Sequence, residues 1–388
     1  PYRFTNTLGV LPSFLPTRMP DSSPAHTSVH GPADAVPTPQ PSSLPPRILF
    51  SDLDGTLIHY TDTLRDVGLF PTTSPEGLWR TSPPPLGSAL TAPLDLLPLP
   101  PTASGSQGFI STTIFERLAR LRARQDVRLV LISGARAGTL LQRLPLLPAA
   151  DAYVCESGGR IFYPGAVGWA AHAAAPLTED HAWRGAHEPA AGPAVAAAMK
   201  PERRGGPLWT LFAALSSTRH ARLHFDCRGY STAFRVRGDA AALAEIAGSL
   251  PGSLACARNL GALDVYPATS GKVSAARHLA ARWGADLSRA LFLCDDDNDL
   301  ELAAAVGRAF LPSITSESMG SAARTGGDAF YVARMPVPWS TEEVLEAVEA
   351  ELAQADDHGS SSMGAEPGPV EAGSGPAGAE AEPQGAGV

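Results

Sequence analysis

The sequence predicts an α/β protein with a Rossmann-like parallel sheet as its core and a second, α+β unit inserted into that core. Apolar runs that suit buried strands alternate with helical segments before residue 158, and the same rhythm returns after residue 261. Between these two regions, helical pieces mix with strands in which apolar and polar residues alternate. Apolar strands that alternate with helices are typical of a parallel sheet with helices on both faces.

The first part of the core contains three predicted strands. They are RILFSDL at 47–53, VRLVLIS at 127–133 and DAYVCE at 151–156. The spacing of apolar residues predicts an amphipathic helix at 112–125, and a shorter helix, GTLLQRL, follows the second strand. Together these elements assign residues 47–158 to the core.

The inserted unit is assigned to residues 159–260. Helices are predicted at 179–188, 206–217 and 239–248, and the segments ARLHFDC and STAFRVR have the alternating pattern of half-buried strands. Because this mixture interrupts the core rhythm, we expect a separate α+β domain.

The core resumes at residues 261–354. The predicted elements are the strand ALDVYPA at 262–268, a helix at 271–282, the apolar strand ALFLCD at 290–295 with a helix after it, and a last helix at 340–354. These elements complete the alternating pattern of the first part.

Three segments are unsuited to a core. Residues 1–46 contain 11 of the 37 prolines, and residues 66–108 contain 9 more. Proline excludes long helices and central strands, so we predict a disordered leader at 1–46 and a surface insertion at 66–108. Residues 355–388, rich in Gly, Ala, Glu and Pro, are predicted to be a disordered acidic tail.

Charge and cysteine content narrow the class of protein. The tail at 355–388 has six acidic residues and no Lys or Arg, so it supplies −6 of the net charge of −9. The near-neutral remainder argues against nucleic acid as a partner, and no apolar run is long enough for a membrane span. Four scattered cysteines without metal-site spacing suggest reduced thiols and a cytoplasmic location. A plastid is the alternative, if residues 1–46 are part of a transit peptide.

The first chemical motif is FSDLDGTLI at 50–58. Its strand ends in Asp52 and Asp54, and open α/β sheets place their sites at such strand ends. Two adjacent carboxylates repel each other, which suits a division of roles between them. Asp52 would be the ionised nucleophile, and Asp54 would be a proton donor and then a base. The alternative is a strand end followed by an Asp-Gly turn.

Two further positions suit the binding of an anion. Ser133, in LVLISGAR, follows a strand and precedes a helix, so it either binds a phosphoryl oxygen or caps that helix. Lys272 lies in the first turn of a predicted helix, where a cation opposes the helix dipole. This unfavourable placement suggests that Lys272 faces an anion, and a solvated surface lysine is the alternative.

The last motif is LFLCDDDNDLEL at 291–302. An apolar strand ends in an acidic run from Asp295 to Asp299, and a helix follows. The run does not fit a calcium-binding EF-hand loop, which needs Gly at the position of Leu300 and Glu at the position of Val306. An acidic cluster after a buried strand requires a divalent cation to offset its charge, and oxygen ligands favour Mg²⁺.

Taken together, these motifs resemble those of the haloacid-dehalogenase-like (HAD) superfamily of phosphatases. DLDGT resembles its nucleophile motif, Ser133 its second, Lys272 its third and DDDND its fourth. The position of the inserted unit resembles the cap of sugar-phosphate phosphatases, and the segments CESGGRIFYP and LDVYPATSGKVSA look most like the sucrose-phosphatase-like branch of plants and algae. Cys294 departs from the usual glycine of the fourth motif.

The resemblance implies a phosphoric monoester hydrolase that forms a phospho-aspartate on Asp52. Ser133, Lys272 and Asn298 would bind the substrate phosphate. Mg²⁺ would be held by Asp52, the backbone carbonyl of Asp54, Asp295 and Asp299. A small phosphorylated metabolite, a sugar phosphate above all, is the expected substrate. A phosphomutase and a non-catalytic phospho-ligand-binding protein are the alternatives.

Overall fold

The computed structural model describes residues 45–69, 72–73, 79–83, 92–102, 105–165, 177–217 and 223–361. All of them belong to one compact unit, Ser42–Val388. The leader predicted at 1–46 lies outside the described residues except for its last two positions. The predicted tail lies outside them beyond residue 361, and its first residues continue the last helix.

The described strands and helices follow each other in an alternating order over much of the chain. The strands are β1 (Arg47–Ser51), β2 (His59–Tyr60), β3 (Thr72–Thr73), β4 (Trp79–Arg80), β5 (Asp95–Pro98), β6 (Gly108–Ser111), β7 (Val127–Ile132), β8 (Ala152–Cys155), β9 (Arg160–Pro164), β10 (Leu177–Glu179), β11 (Leu223–Asp226), β12 (Phe234–Gly238), β13 (Leu254–Asn259), β14 (Ala262–Pro267), β15 (Leu291–Leu293), β16 (Arg308–Leu311) and β17 (Phe330–Val332). The helices are α1 (Thr61–Asp66), α2 (Thr112–Ala123), α3 (Ala137–Arg143), α4 (His181–Gly185), α5 (Glu188–Ala191), α6 (Pro207–Ser217), α7 (Ala240–Gly248), α8 (Lys272–Trp283), α9 (Leu300–Ala303), α10 (Glu317–Gly326) and α11 (Trp339–Ser361).

The core is a sheet in the order β10-β9-β8-β7-β1-β15-β16-β17. Six of these strands run parallel, and β9 and β10 add an antiparallel edge. In the central strand β1, Leu49 pairs with Leu129 of β7 on one side and with Leu291 of β15 on the other. The ends of β1, β7 and β15 therefore meet at one edge of the sheet, which confirms the predicted α/β fold class.

Helices cover both faces of this sheet. Leu49, Leu129 and Leu291 pack on one face with buried residues of α2, α3 and α11. Phe50 and Phe292 point to the other face, where α8, α9 and α10 supply the apolar contacts. Both faces of the parallel strands are thus buried, which explains why these strands read as continuous apolar runs in the sequence.

A four-stranded antiparallel sheet, in the order β11-β12-β14-β13, forms a second layer with α6 and α7. The residues that form this layer differ at both ends from the range 159–260 that the sequence predicted for the inserted unit. Residues 160–179 extend the core sheet, because a turn at Gly158 (φ +89°) folds β9 back onto β8. In addition, β14 lies between β12 and β13. We therefore propose that the inserted unit begins after Glu179 and includes β14.

The Pro-rich insertion predicted at 66–108 contributes to a third sheet, in the order β2-β6-β5-β4-β3. These strands are short, as proline requires. Buried side chains of the sheet, including Leu96 and Phe109, pack against Trp339 at the start of α11. The insertion is therefore joined to the core by apolar packing.

A buried carboxylate fixes the four-stranded layer to the core. Glu156, which follows β8, accepts hydrogen bonds at Oε2 from the backbone N–H groups of Ser231 (2.8 Å) and Thr232 (2.7 Å). The Thr232 hydroxyl donates to the same oxygen. Because Glu156 is fully buried, these bonds replace the water that the carboxylate loses.

The four cysteines, which all lie in described ranges, form no disulfide. Among the same ranges, no helix has both the length and the apolar character that a bilayer span requires.

Candidate active site

Three carboxylates meet at the edge of the sheet where β1 and β15 end. Asp52 follows β1, and its backbone N–H donates to the carbonyl of Leu293 in β15 (2.9 Å). Asp295 and Asp299 follow β15. One carboxylate oxygen from each of the three lies within 4.8 Å of the others, and all three side chains are buried. The structure thus brings together the two acidic motifs that the sequence predicted to form one site.

Lys272, the first residue of α8, lies among these carboxylates. Its Nζ is 3.0 Å from Oδ1 of Asp52 and 2.5 Å from Oδ1 of Asp299. Burial lowers the pKa of Lys272, but the carboxylates of Asp299 and Asp52 outweigh this effect and raise it. Lys272 is therefore a buried cation facing anions, and the alternative of a solvated surface lysine is wrong.

The carboxylates exceed the single ammonium in charge. Burial raises the pKa of Asp52 to about 8, against the effect of Lys272 and with the effects of Asp299 and Asp54. Burial and the charges of Asp52 and Asp299 raise the pKa of Asp295 far above its ordinary value. The charged forms of these carboxylates are therefore disfavoured unless a further cation is bound. A buried group of oxygen ligands alone suits a divalent cation such as Mg²⁺.

Gly55 and Thr56 bring the first motif against the last. The backbone of Gly55 is left-handed (φ +90°), and a β carbon at this position would collide with the carboxylate of Asp295. Thr56 donates from its hydroxyl to Oδ1 of Asp295 (2.9 Å). The hydroxyl of Thr315 donates to Oδ2 of the same carboxylate (3.1 Å). Asp295 is thus fixed by two hydroxyl groups, and Thr315 carried no signal in the sequence.

The Asp54 carboxylate is not part of the three-carboxylate group and has other partners. Its Oδ1 accepts a hydrogen bond from the hydroxyl of Tyr60 (2.6 Å) and another from Nη1 of Arg143 (2.8 Å). Asp54 still lines the same cavity as Asp52. The sequence did not reveal Tyr60 or Arg143, because each lies on a different segment from Asp54 and neither belongs to a motif.

Ser133 and Asn298 also line this cavity. Ser133 follows β7, and its Oγ accepts a hydrogen bond from the N–H of Ala135 (3.0 Å). It does not cap α3, whose N-cap residue is Arg136. Oδ1 of Asn298 is buried and has no hydrogen-bond partner among the described residues. Such an atom is free to contact a ligand.

The cavity has a volume of about 410 Å³ and is enclosed by four parts of the chain. The core strand ends supply Asp52, Asp54, Ser133 and Asn298, and the region of the third sheet supplies Tyr60, Thr102 and Ser106. The helix α3 and the loop before it add Arg136 and Arg143, and the four-stranded layer adds Asp226, Arg228, Tyr230, Arg235 and Arg237. Its lining is mostly polar and includes five arginines.

Comparison with known proteins supports the resemblance found in the sequence. The family model described as sucrose-6F-phosphate phosphohydrolase matches residues 253–311, which include Lys272 and the run from Asp295 to Asp299. This match confirms the expected resemblance to the sucrose-phosphatase branch of the HAD-like phosphatases and, with it, the enzyme class of phosphoric monoester hydrolase. No curated protein matches the chain.

Several solved structures are similar to this chain at low identity. The sucrose-phosphatase of Synechocystis sp. PCC6803, solved with sucrose and phosphate, is 14% identical with a TM-score of 0.49, over 79% of this chain and 98% of that one. Protein 0175 of Thermoplasma acidophilum is 12% identical with a TM-score of 0.47, over 79% and 98%. A HAD-superfamily phosphatase of Bacteroides thetaiotaomicron is 15% identical with a TM-score of 0.43, over 82% and 98%.

Proposed function

We propose that this chain is a Mg²⁺-dependent phosphatase that hydrolyses a small phosphorylated metabolite, in particular a sugar phosphate of the sucrose 6-phosphate type, through a phospho-aspartate on Asp52. The observation that carries this proposal is the group formed by Asp52, Asp295, Asp299 and Lys272, of which Asp52 lines the polar cavity. A nucleophile, a cation site and an anion-binding lysine at one point suit phosphoryl transfer.

In the first step, an oxygen of Asp52 attacks phosphorus and the bond from phosphorus to the sugar oxygen breaks. Asp54 gives a proton to the departing alkoxide. In the second step, Asp54 takes a proton from water, the water oxygen attacks phosphorus, and the acyl phosphate bond breaks. Inorganic phosphate leaves, and the carboxylate of Asp52 is restored.

The residues present fit a divalent cation. The fit rests on three buried carboxylates whose oxygens lie within 4.8 Å of one another. Asp52, Asp295 and Asp299 would hold the ion, together with the backbone carbonyl of Asp54. When bound, Mg²⁺ supplies positive charge that offsets the repulsion between the carboxylates and an anionic phosphate. Ser133, Lys272 and Asn298 would bind the phosphate oxygens, and their fixed positions stabilise the charge on the transferred group.

The choice of a sugar phosphate rests on the family match and on the cavity. A volume of about 410 Å³ falls within the range of roughly 300–1,000 Å³ that is usual for small-molecule sites. Among the described residues, hydroxyl groups, two tyrosines and five arginines line it, and these groups can form the hydrogen bonds that a sugar requires. We also propose a cytoplasmic location, with a plastid as the alternative, because the four thiols are unpaired.

The test is a screen for phosphate release over a set of sugar phosphates, with and without Mg²⁺. We expect release from at least one sugar phosphate, dependence on Mg²⁺, and loss of activity by at least about a hundredfold in Asp52→Asn. Transfer to a second position of the sugar, with little free phosphate, would instead identify a phosphomutase. Binding without turnover, unchanged in Asp52→Asn, would contradict both enzymes.

A further inference from the structure

The side chains of Asp54, Tyr60 and Arg143 are joined in a closed ring of three hydrogen bonds. The Tyr60 hydroxyl donates to Oδ1 of Asp54 over 2.6 Å, and Nη1 of Arg143 donates to the same oxygen over 2.8 Å. Nη2 of Arg143 donates to the Tyr60 hydroxyl over 3.1 Å. Each of the three side chains is therefore bound to the other two.

The ring is fixed by its surroundings. Only 2% of Arg143 is exposed, at the C-terminal end of α3, so its charge must be offset by a partner inside the protein. A guanidinium group is a rigid planar fork, which sets the direction as well as the distance of its two hydrogen bonds. The contacts of Arg143 consequently restrict the orientation of the Asp54 carboxylate.

Tyr60 reaches this position from the third sheet. It pairs with Gly108 of β6, and a β carbon at Gly108 would lie 3.4 Å from Cε1 of the Tyr60 ring. The same β carbon would lie 2.9 Å from Cγ2 of Ile58, so the glycine lets β6 pack closely against Ile58 and next to the Tyr60 ring. A phenol hydroxyl is protonated at neutral pH, so Tyr60 is available as the donor in its hydrogen bond to Asp54.

We infer that Tyr60 and Arg143 are positioning residues for the general acid–base step, and that they act by fixing Oδ1 of Asp54 so that Oδ2 is the oxygen that exchanges the proton. This inference rests on the proposed function, since it takes Asp54 as the proton donor. With Oδ1 occupied by two donors, a proton bound to Asp54 lies on Oδ2, which has no partner among the contacts of the described residues. Loss of the ring would let the carboxylate rotate, and misplaced catalytic groups react more slowly.

The test compares Tyr60→Phe with the parent enzyme on two substrates that differ in their need for a proton donor. Hydrolysis of an alkyl phosphate such as sucrose 6-phosphate needs protonation of its leaving oxygen, but p-nitrophenolate leaves without it. We expect kcat/KM to fall about tenfold or more on the alkyl ester and to change by less than about twofold on p-nitrophenyl phosphate. Because kcat/KM reports steps up to the first irreversible one, it isolates phosphorylation of Asp52.

A second measurement uses Asp54→Asn as the background. Since Tyr60 is inferred to act through Asp54, Tyr60→Phe should cause no further loss once Asp54 is replaced. Arg143→Lys, which keeps the charge but not the fork, should show the same preference for the aryl substrate. Tyr163→Phe is the matched control, because Tyr163 also donates to a carboxylate, Asp180, but outside the cavity lining.

These measurements distinguish failure of the positioning role from failure of the proposed function. An equal loss on both substrates, or an undiminished loss in the Asp54→Asn background, would overturn the inference while the phosphatase assignment stands. A parent enzyme that releases no phosphate from either ester would overturn the proposed function and this inference with it. Should Tyr60→Phe fail to fold, the substrate preference of Arg143→Lys decides the question alone.

Discussion

The ammonium group of Lys272 lies 3.0 Å from Oδ1 of Asp52, and only 2% of the lysine side chain is exposed. It is the sole cation that contacts this carboxylate among the ion pairs of the described residues. The pair therefore stabilises the fold and fixes the position of Asp52, the proposed nucleophile. Loss of the pair should lower the free energy of unfolding.

Replacing Lys272 by Met should destabilise the protein by roughly 3–5 kcal/mol in the absence of added metal, because Asp52 and Asp299 would lose their buried partner. Urea unfolding of the purified variants measures this loss. Lys200→Met is a matched control, since the only other lysine of the chain is exposed and should cost less than about 0.5 kcal/mol. A Lys272→Met cost as small as the control would show that the carboxylates do not need the ammonium group.

Mg²⁺ should raise the melting temperature of the parent protein but not that of Asp295→Asn, since one of the three carboxylates is lost. In EDTA at pH 7 the variant should be at least as stable as the parent. The reason is that burial and the charges of Asp52 and Asp299 raise the pKa of Asp295, so its charged form is disfavoured in the folded state. Thermal melts with and without Mg²⁺ test both statements.

Asp328→Asn serves as the control for this experiment, because Asp328 is exposed and distant in sequence from the acidic motifs. It should leave the Mg²⁺-dependent shift unchanged. A full Mg²⁺ response in Asp295→Asn would exclude that carboxylate as a ligand.

As the pH is lowered below about 6.5, the free energy of unfolding should decrease because of His59. Burial lowers the pKa of His59 to about 4, whereas the unfolded chain takes up the proton near 6.5. The unfolded state therefore binds more protons between these values, and stability is lost as the pH falls through this window, by up to about 3 kcal/mol. The Thr341 hydroxyl donates to the carbonyl of Thr56, so its oxygen accepts the proton on Nε2 of neutral His59 (2.8 Å).

Urea unfolding at pH 7.5, 5.5 and 4.5 of the parent and of His59→Gln tests whether His59 causes this loss of stability. The difference in unfolding free energy between the two proteins gives the contribution of the histidine at each pH. The dependence on pH should be weaker in His59→Gln and unchanged in His181→Gln, whose side chain is exposed. Identical slopes for the parent and His59→Gln would contradict it.

Glu156→Ala should destabilise the protein by about 3 kcal/mol, because the backbone N–H groups of Ser231 and Thr232 would lose their acceptor. Hydrogen exchange at these two amides should become faster, since the bond that protects each of them is gone. Exposed Glu188 provides the control variant, Glu188→Ala, with little expected change. Unchanged exchange at Ser231 and Thr232 would mean that Glu156 does not hold the four-stranded layer.

The central strands and their carboxylates could be predicted from the sequence because both signals are local. The apolar runs of β1 and β15 report burial on both faces, and Asp52 and Asp295 directly follow their ends. Parallel strands bring such ends to one edge of a sheet, so the meeting of the two motifs followed from the fold class.

The boundary of the inserted unit and the ring around Asp54 could not be predicted in this way. The segment RIFYP reads as a strand in either domain, and only the turn at Gly158 pairs it with β8. Tyr60 and Arg143 meet Asp54 because two sheets and a helix pack together, and no pattern in the sequence records that packing. A contact between side chains of separate elements has no period or spacing that would identify it.

The position of β1 between β7 and β15 has a consequence for synthesis on the ribosome. A nascent chain delivers β1 and β7 early, but the partner on the other side of β1 follows only with residues 291–293. Until then, the edge of β1 that later pairs with β15 has unpaired backbone groups, which can pair with the strands of other chains. Translation must therefore pass most of the chain before this edge is protected, and chaperones that bind exposed strands would act in that interval.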